Sequence, residues 1–145
     1  MGMGMDRTGS AAVGRFCWVD LAASDAGSAK IFYAELFGWT PHDRAANGGV
    51  FTCLRSAGAD IGSLYQLQRS HLERGVPSHW TPYVHVTSIE ETVARTVSLG
   101  GEVVVHPFTI PGMARVALIL DTVGALVGLW QPIGAEKAEE VDVQD

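Results

Sequence analysis

The sequence predicts an α+β fold of two like βαβββ modules with mixed sheets and a cavity at their junction. Two internal matches and one alternation pattern carry this reading. A helix-start signal at Ser24-Asp25 recurs at Ser88, 63 residues on (88 − 25), and the glycines that close the two helical stretches, Gly38 and Gly100, lie 62 apart (100 − 38). The last segment of each half also matches, Gly62-Ser63-Leu64-Tyr65-Gln66-Leu67 against Val127-Gly128-Leu129-Trp130-Gln131-Pro132, at an offset of 65 (127 − 62). A near-constant offset through strand, helix and closing strand marks a duplicated supersecondary unit. Alternation then gives each sheet two unlike faces. Cys17, Val19 and Leu21 share one face of their strand and Trp18, Asp20 and Ala22 the other; in the second copy Val84 and Val86 oppose Thr81, Tyr83 and His85. The valine faces suit packing under a helix. The polar and aromatic faces suit a ligand pocket.

The elements follow in order. Arg15 to Ala23 has strand character. Ser24 or Asp25 caps a helix with an apolar stripe of Ala29, Phe32, Tyr33, Leu36 and Phe37, at i, i+3, i+4, i+7 and i+8 spacing. Gly38 fits the left-handed residue past its end. Strands are expected around Thr40, at Val50–Arg55 and at Asp60–Leu67, with turns at residues 45–49 and 56–58. In the second copy, Trp80–Thr87 forms a strand, and Ser88 with Glu91 has capping-box spacing. A helix to Leu99 is expected to pack through Ile89, Val93 and Val97, with Thr92 and Thr96 beside them. Strands follow at Glu102–His106, Arg115–Asp121 and Ala125–Gln131, with a turn over Pro107 to Gly112. The body is thus one domain, 15–133, of modules 15–67 and 80–133 joined by a polar connector, 68–79. A flexible Gly/Ala/Met-rich arm, 1–14, precedes it and an acidic tail, 134–145, follows.

Composition limits function. At 145 residues, 47% hydrophobic and 18% charged, the chain can bury a real core. A net charge of −6 argues against a nucleic-acid surface, although five acids fall in the last ten residues. No apolar run is long enough for a membrane span, and the N-terminus lacks a secretory apolar core, so a cytoplasmic protein is expected. Cys17 and Cys53 have no metal-binding spacing and are read as reduced core thiols.

The segments Phe16-Cys17-Trp18-Val19-Asp20-Leu21 with Asp25, Phe32-Tyr33 and Leu36-Phe37-Gly38-Trp39 carry a wider pattern. Its second half is Trp80-Thr81-Pro82-Tyr83-Val84, Leu99-Gly100-Gly101, Pro107, Ile110-Pro111-Gly112, and Asp121 with Gly124. In order and spacing this resembles the vicinal oxygen chelate superfamily, which includes glyoxalase I, extradiol dioxygenases, and bleomycin- and fosfomycin-resistance proteins. The resemblance spans roughly 15–133. It implies paired modules curled around a cavity, a homodimer, and, in metal-dependent relatives, His or Glu ligands on the first and last strands. The family's spacing puts those ligand positions at Trp18, Thr81, Gly128 and near Ser63. None of these side chains ligates a divalent transition ion, so neither metal nor other cofactor is expected there. Asp20, His79 and His85 offer an alternative set of two imidazoles and a carboxylate.

Trp18 is either an aromatic wall on which a ligand stacks or the filler of a disused cavity. Asp20, a carboxylate in mid-strand, needs solvent or a partner. It can contact a ligand, act as general base, or pair with Arg15, Arg55 or Arg115. His85 is a second candidate base or pocket hydrogen-bonding group. Thr81, Tyr83, Tyr65 and Trp130 complete the expected ligand-binding set, with core or dimer interface the alternative for Tyr65 and Trp130. Gln66 and Gln131 either contact ligand or cap an edge. Trp39 and Phe37 look like core, and Glu90-Glu91 like helix N-terminal charge. His42, His71 and His106 are read as solvated or structural. The main expectation is metal-independent binding or sequestration of a small organic molecule in an aromatic-lined cavity, as in bleomycin-resistance proteins. The alternative is a lyase, isomerase or epimerase using Asp20 or His85 as base, or a rebuilt metal site.

Overall fold

A computed structural model describes residues 12–46 and 48–133. Most of the expected arm and all of the acidic tail lie outside the described residues. The elements are β1 (Phe16–Ala23), α1 (Ala26–Phe37), β2 (Thr40–Ala46), β3 (Gly49–Ser56), β4 (Ala59–Gln66), α2 (Arg69–Glu73), β5 (His79–His85), α3 (Ile89–Ser98), β6 (Glu102–Ile110), β7 (Ala114–Leu120) and β8 (Leu126–Pro132). The doubled βαβββ order is as the repeat predicts. The polar connector holds the short helix α2. No helix among the described residues is long and apolar enough to cross a membrane. The chain divides into two compact units, one of Val19–Thr81 and one that holds the described residues 12–18 and 82–133.

In the first unit the strands run in the order β2-β3-β4-β1. β1 and β4 are parallel, with Asp20 opposite Ser63 and Leu21 opposite Leu64, and the remaining neighbours are antiparallel. One face is covered by α1: Leu21, Ala23, Leu54 and Leu64 form the core, with Ala26, Ala29, Tyr33 and Trp39 against them. The helix starts where its first N–H groups find acceptors. The Asp25 carboxylate accepts from the Ser28 N–H at 3.0 Å, a cap worth about 1 kcal/mol. Gln66 Oε1 on β4 accepts from the Ala26 N–H at 2.9 Å. At the other end Gly38 takes φ 74°, which lets its N–H reach the Ala34 carbonyl.

The expected apolar stripe of α1 is only partly covered. Ala29 and Tyr33 pack on the sheet, whereas Phe32, Leu36 and Phe37 are each 56% exposed. The reason is geometric. Contact with the sheet runs along Ala26, Ala29 and Tyr33, a line at i, i+3, i+7, and a single helix presents only one such stripe to a sheet. This helix is apolar beyond that stripe, so Phe37 is not core. Trp39 is half-buried, 5.3 Å from the Tyr33 ring and stacked on it, with Trp80 edge-on to Tyr33.

In the second unit the order is β5-β8-β7-β6, with β5 parallel to β8. Ile89, Ala117 and Leu129 form the core under α3, joined by Val86, Val93 and Ile119. The Ser88 hydroxyl accepts from the Glu91 N–H at 3.2 Å, and Gln131 Oε1 accepts from the Ile89 N–H at 2.8 Å. Gln66 and Gln131 are therefore repeat-related anchors for their helix starts, each reaching from a closing strand. Val97, expected inside, is 59% exposed, and Thr96 is the buried residue at the end of α3. The expected turn at Pro107 is instead strand. β6 runs on to Ile110 with a register shift between Val105 and Phe108. Proline has no N–H for a ladder, and an edge strand that bulges there does not need one.

Candidate functional site

Each sheet has a second face, opposite its helix. In the first unit Asp20, Ser63, Cys53 and His42 are successive register partners across β1, β4, β3 and β2, so their side chains line up on that face. The Ser63 hydroxyl donates to Asp20 Oδ1 at 2.9 Å. Tyr65, two residues beyond Ser63, lies on the same side. Burial, and then the negative charge of Asp20, pushes its phenol above the usual range, so it stays protonated and able to donate. Of the arginines considered as counterions for Asp20, Arg55 binds Asp60 at 2.9 Å and Arg115 binds Glu90 at 2.7 Å. The latter fits the reading of Glu90 as surface charge near the start of α3.

A bulge decides what else reaches this face. Arg55 pairs with Asp60 and Leu54 with Gly62, which leaves Ile61 as the extra residue. Strict alternation back from Ser63 would aim Asp60 at the helix side. The bulge turns it to the face that holds His42 and Cys53, and His42 Nε2 lies 3.3 Å from Asp60 Oδ1. His42 is therefore a strand residue in a polar cluster, the structural of the two roles read for it. This group was missed because residues 42, 53 and 60 share no linear motif. The one hint was that a hairpin could set His42 opposite Cys53.

The second unit uses its corresponding face differently. Tyr83, Ala114, Val116 and Trp130 are buried together, with Cys17, Trp18, Ile110, Met113 and Leu118 against them. Trp18 stacks on Trp130 at 5.0 Å between ring centroids, and Tyr83 meets Trp130 edge-on at 5.8 Å. Tyr83 sits opposite Gly128, and a Cβ placed on Gly128 would come within 2.2 Å of the Tyr83 ring. Burial raises the Cys17 thiol to about 11, in keeping with a protonated core thiol.

The repeat makes these two strand pairs comparable. Asp20 corresponds to Tyr83 at an offset of 63 (83 − 20), and Ser63 to Gly128 at an offset of 65 (128 − 63). At one place in the architecture the first unit has a carboxylate held by a hydroxyl, and the second a ring seated on a glycine. At this pair of positions the carboxylate and hydroxyl lie in the first unit.

The positions that the family's spacing assigns to metal ligands do not fit a metal. Trp18 is engaged with Trp130, the Ser63 hydroxyl with Asp20, Thr81 is buried, and Gly128 lies under Tyr83. Of the alternative set, His79 and Asp20 fall in the first unit and His85 in the second. His79 Nδ1 donates to the Pro77 carbonyl at 2.9 Å. The His85 backbone accepts from Gly14 and donates to Arg15.

No protein-family model matches the chain. Residue for residue, the chain is 35% identical over 128 residues to "Putative glyoxylase CFP32" of Mycobacterium bovis, which covers 85% of this chain and 49% of that protein. It is 29% identical over 143 residues to the anthracycline biosynthesis protein DnrV of Streptomyces peucetius, covering 91% of this chain and 52% of that one. The chain thus spans about half the length of the curated relatives it matches. Among solved structures, methylmalonyl-CoA epimerase from Mycobacterium tuberculosis superposes with a TM-score of 0.65 at 19% identity, over 86% of this chain and 91% of that one. The doubled βαβββ architecture and these similarities support the resemblance to the vicinal oxygen chelate superfamily.

Proposed function

We propose that the chain is an enzyme that moves a proton on a carbon beside a carbonyl of a small organic substrate, as a lyase, isomerase or epimerase, with Asp20 as base. The observation that carries this is the polar pair Asp20–Ser63, set where the sister unit has the Tyr83 ring on Gly128. Ser63 orients the carboxylate. Asp20 takes the proton from carbon, the electron pair moves onto the carbonyl oxygen, and the Tyr65 hydroxyl donates to that oxygen as its charge grows. Return of the proton to the other side of the carbon, or to its neighbour, completes an epimerisation or isomerisation. The names of the relatives, a glyoxylase and an epimerase among them, support this class of chemistry.

The test is solvent-deuterium incorporation into a panel of small carbonyl compounds and acyl thioesters, followed by NMR. Asp20→Asn is expected to slow exchange by about 10²–10⁴-fold, as loss of a general base does. Exchange unchanged in Asp20→Asn would sink the assignment.

A second reading, metal-independent binding without turnover, draws on the aromatic group Trp18, Tyr83 and Trp130. It predicts saturable binding of a panel compound with no deuterium incorporation, and loss of binding in Trp18→Ala. The homodimer also belongs to this proposal; the apolar residues that α1 leaves exposed, Ile31, Phe32, Leu36 and Phe37, support it. A monomeric mass by light scattering at working concentration would remove it.

A further inference from the structure

We propose that His42, Cys53 and Asp60 form a site for a thiophilic divalent transition ion of the zinc type, at positions unrelated to the family's usual ligands. One donor atom from each of the three, an imidazole nitrogen, a thiol sulfur and a carboxylate oxygen, lies within 4.8 Å of the others. Zinc bound to such donors sits about 2.0–2.3 Å from each, so shifts of less than about 1 Å in the side chains close the set around one ion. Nitrogen, sulfur and oxygen in one group of three is a donor set that favours zinc and its neighbours over magnesium or calcium.

The backbone has put the three donors there by two separate devices. His42 and Cys53 are direct register partners on β2 and β3. Asp60 arrives only because the extra residue in β4 turns it to their face. The environment is graded in a way that suits an ion with an open coordination position. Cys53 is wholly buried, while the side chains of His42 and Asp60 keep 39% and 26% exposure, so approach from solvent is open on the imidazole side. Metal-ligating carboxylates are themselves commonly held by hydrogen bonds, and here Arg55 Nε holds Asp60 Oδ1 at 2.9 Å. Burial, and then the negative charge of Asp60, raises the Cys53 thiol above the usual range, with Arg44 and Arg55 acting against this. Both guanidinium groups repel a cation, and the thiol becomes a thiolate only as the ion binds. The thiolate and the carboxylate together offset the charge of the dication, against the two guanidinium groups beside them. Binding replaces protons: the Cys53 thiol releases its proton, and the ion takes the place of the proton between His42 and Asp60.

The competing explanation is an ion-pair network of His42, Asp60 and Arg55 with no ligand. It accounts for the surface contacts, with Cys53 a buried core thiol that takes no part in them; the Co²⁺ titration separates the two. This proposal does not depend on Asp20 chemistry, and its test measures binding alone. Full-length protein stripped with chelator is titrated with Co²⁺. The expected result is one equivalent bound per chain, a thiolate-to-cobalt charge-transfer band in the near ultraviolet, displacement by Zn²⁺, and a raised Tm. Cys53→Ser abolishes the band. His42→Ala and Asp60→Asn each weaken binding by at least about tenfold. Cys17→Ser, in the other unit, leaves all of this intact. Absence of the band in the wild type overturns the proposal, as does a band that depends on Cys17. If Cys53→Ser fails to fold, His42→Ala decides: unchanged affinity there overturns the site.

Discussion

Replacing Gly128 with alanine tests the seating of Tyr83. The added Cβ would lie 2.2 Å from Tyr83 Cδ2, 2.4 Å from Cε2 and 2.6 Å from Cγ. Carbon atoms in contact prefer about 3.5–4.0 Å, so the ring must retreat by more than about 1 Å. It has little room. Tyr83 is 7% exposed, meets Trp130 edge-on, and Trp130 is stacked on Trp18. Overpacking of this kind costs about 1–3 kcal/mol, and the upper end applies where a rigid ring is backed by two others. Loss of glycine freedom in the unfolded chain returns about 0.4–1 kcal/mol. The net loss is about 2 kcal/mol, or roughly 4–8 °C in Tm for a chain of this size. Urea denaturation is the assay, with the midpoint lowered and the slope unchanged. Gly128→Ala made in a Tyr83→Ala background should cost at least about 1 kcal/mol less than in the wild type. A wild-type-background loss below about 0.5 kcal/mol, or strict additivity of the two changes, would refute the seating. With it would go the contrast drawn between the two units.

Gln131→Ala removes the acceptor of the Ile89 N–H at the start of α3 and is expected to lower stability by about 1–2 kcal/mol; hydrogen exchange at Ile89 should quicken with it. In acid, Asp60 gives a signed prediction. Burial alone would raise its carboxyl, but hydrogen bonds from Arg55 and His42 outweigh this and hold it below the ordinary range. Its stabilising contribution is therefore complete above about pH 4 and is lost as pH falls through the lower folded value. Asp60→Asn should flatten that part of the stability–pH curve, and a curve of unchanged slope would contradict the pairing. Ala57 sits at φ 53° in the hairpin between β3 and β4, a left-handed conformation that costs a residue with a Cβ about 1–2 kcal/mol. Ala57→Asn should raise the urea midpoint by up to about 1 kcal/mol of stability, and a decrease would mean the turn differs.

Local rules made much of this molecule legible. The duplication, both helix starts, the Gly38 stop and the division of β1 and β5 into a helix-facing side and an opposite side all follow from spacing and side-chain chemistry within a few residues. So does the exclusion of ligands from Trp18, Thr81, Gly128 and Ser63, because residue type alone decides it. The pairings made across the chain were not legible. Alternation cannot reveal that one extra residue at Ile61 swings Asp60 beside His42, or that Cys53 lies opposite that histidine. Nor does an apolar stripe disclose how much of itself a sheet will cover, which is why Phe32, Leu36 and Phe37 were expected inside and lie outside. The two glutamines are a like case: their side chains anchor helix starts some 40 residues away in the chain. Periodicity and capping act between near neighbours, so the sequence by itself determined the elements and their repetition. Register, bulges and the reach of side chains across strands depend on long-range pairing, and only the tertiary structure decided which residues share a face and meet there.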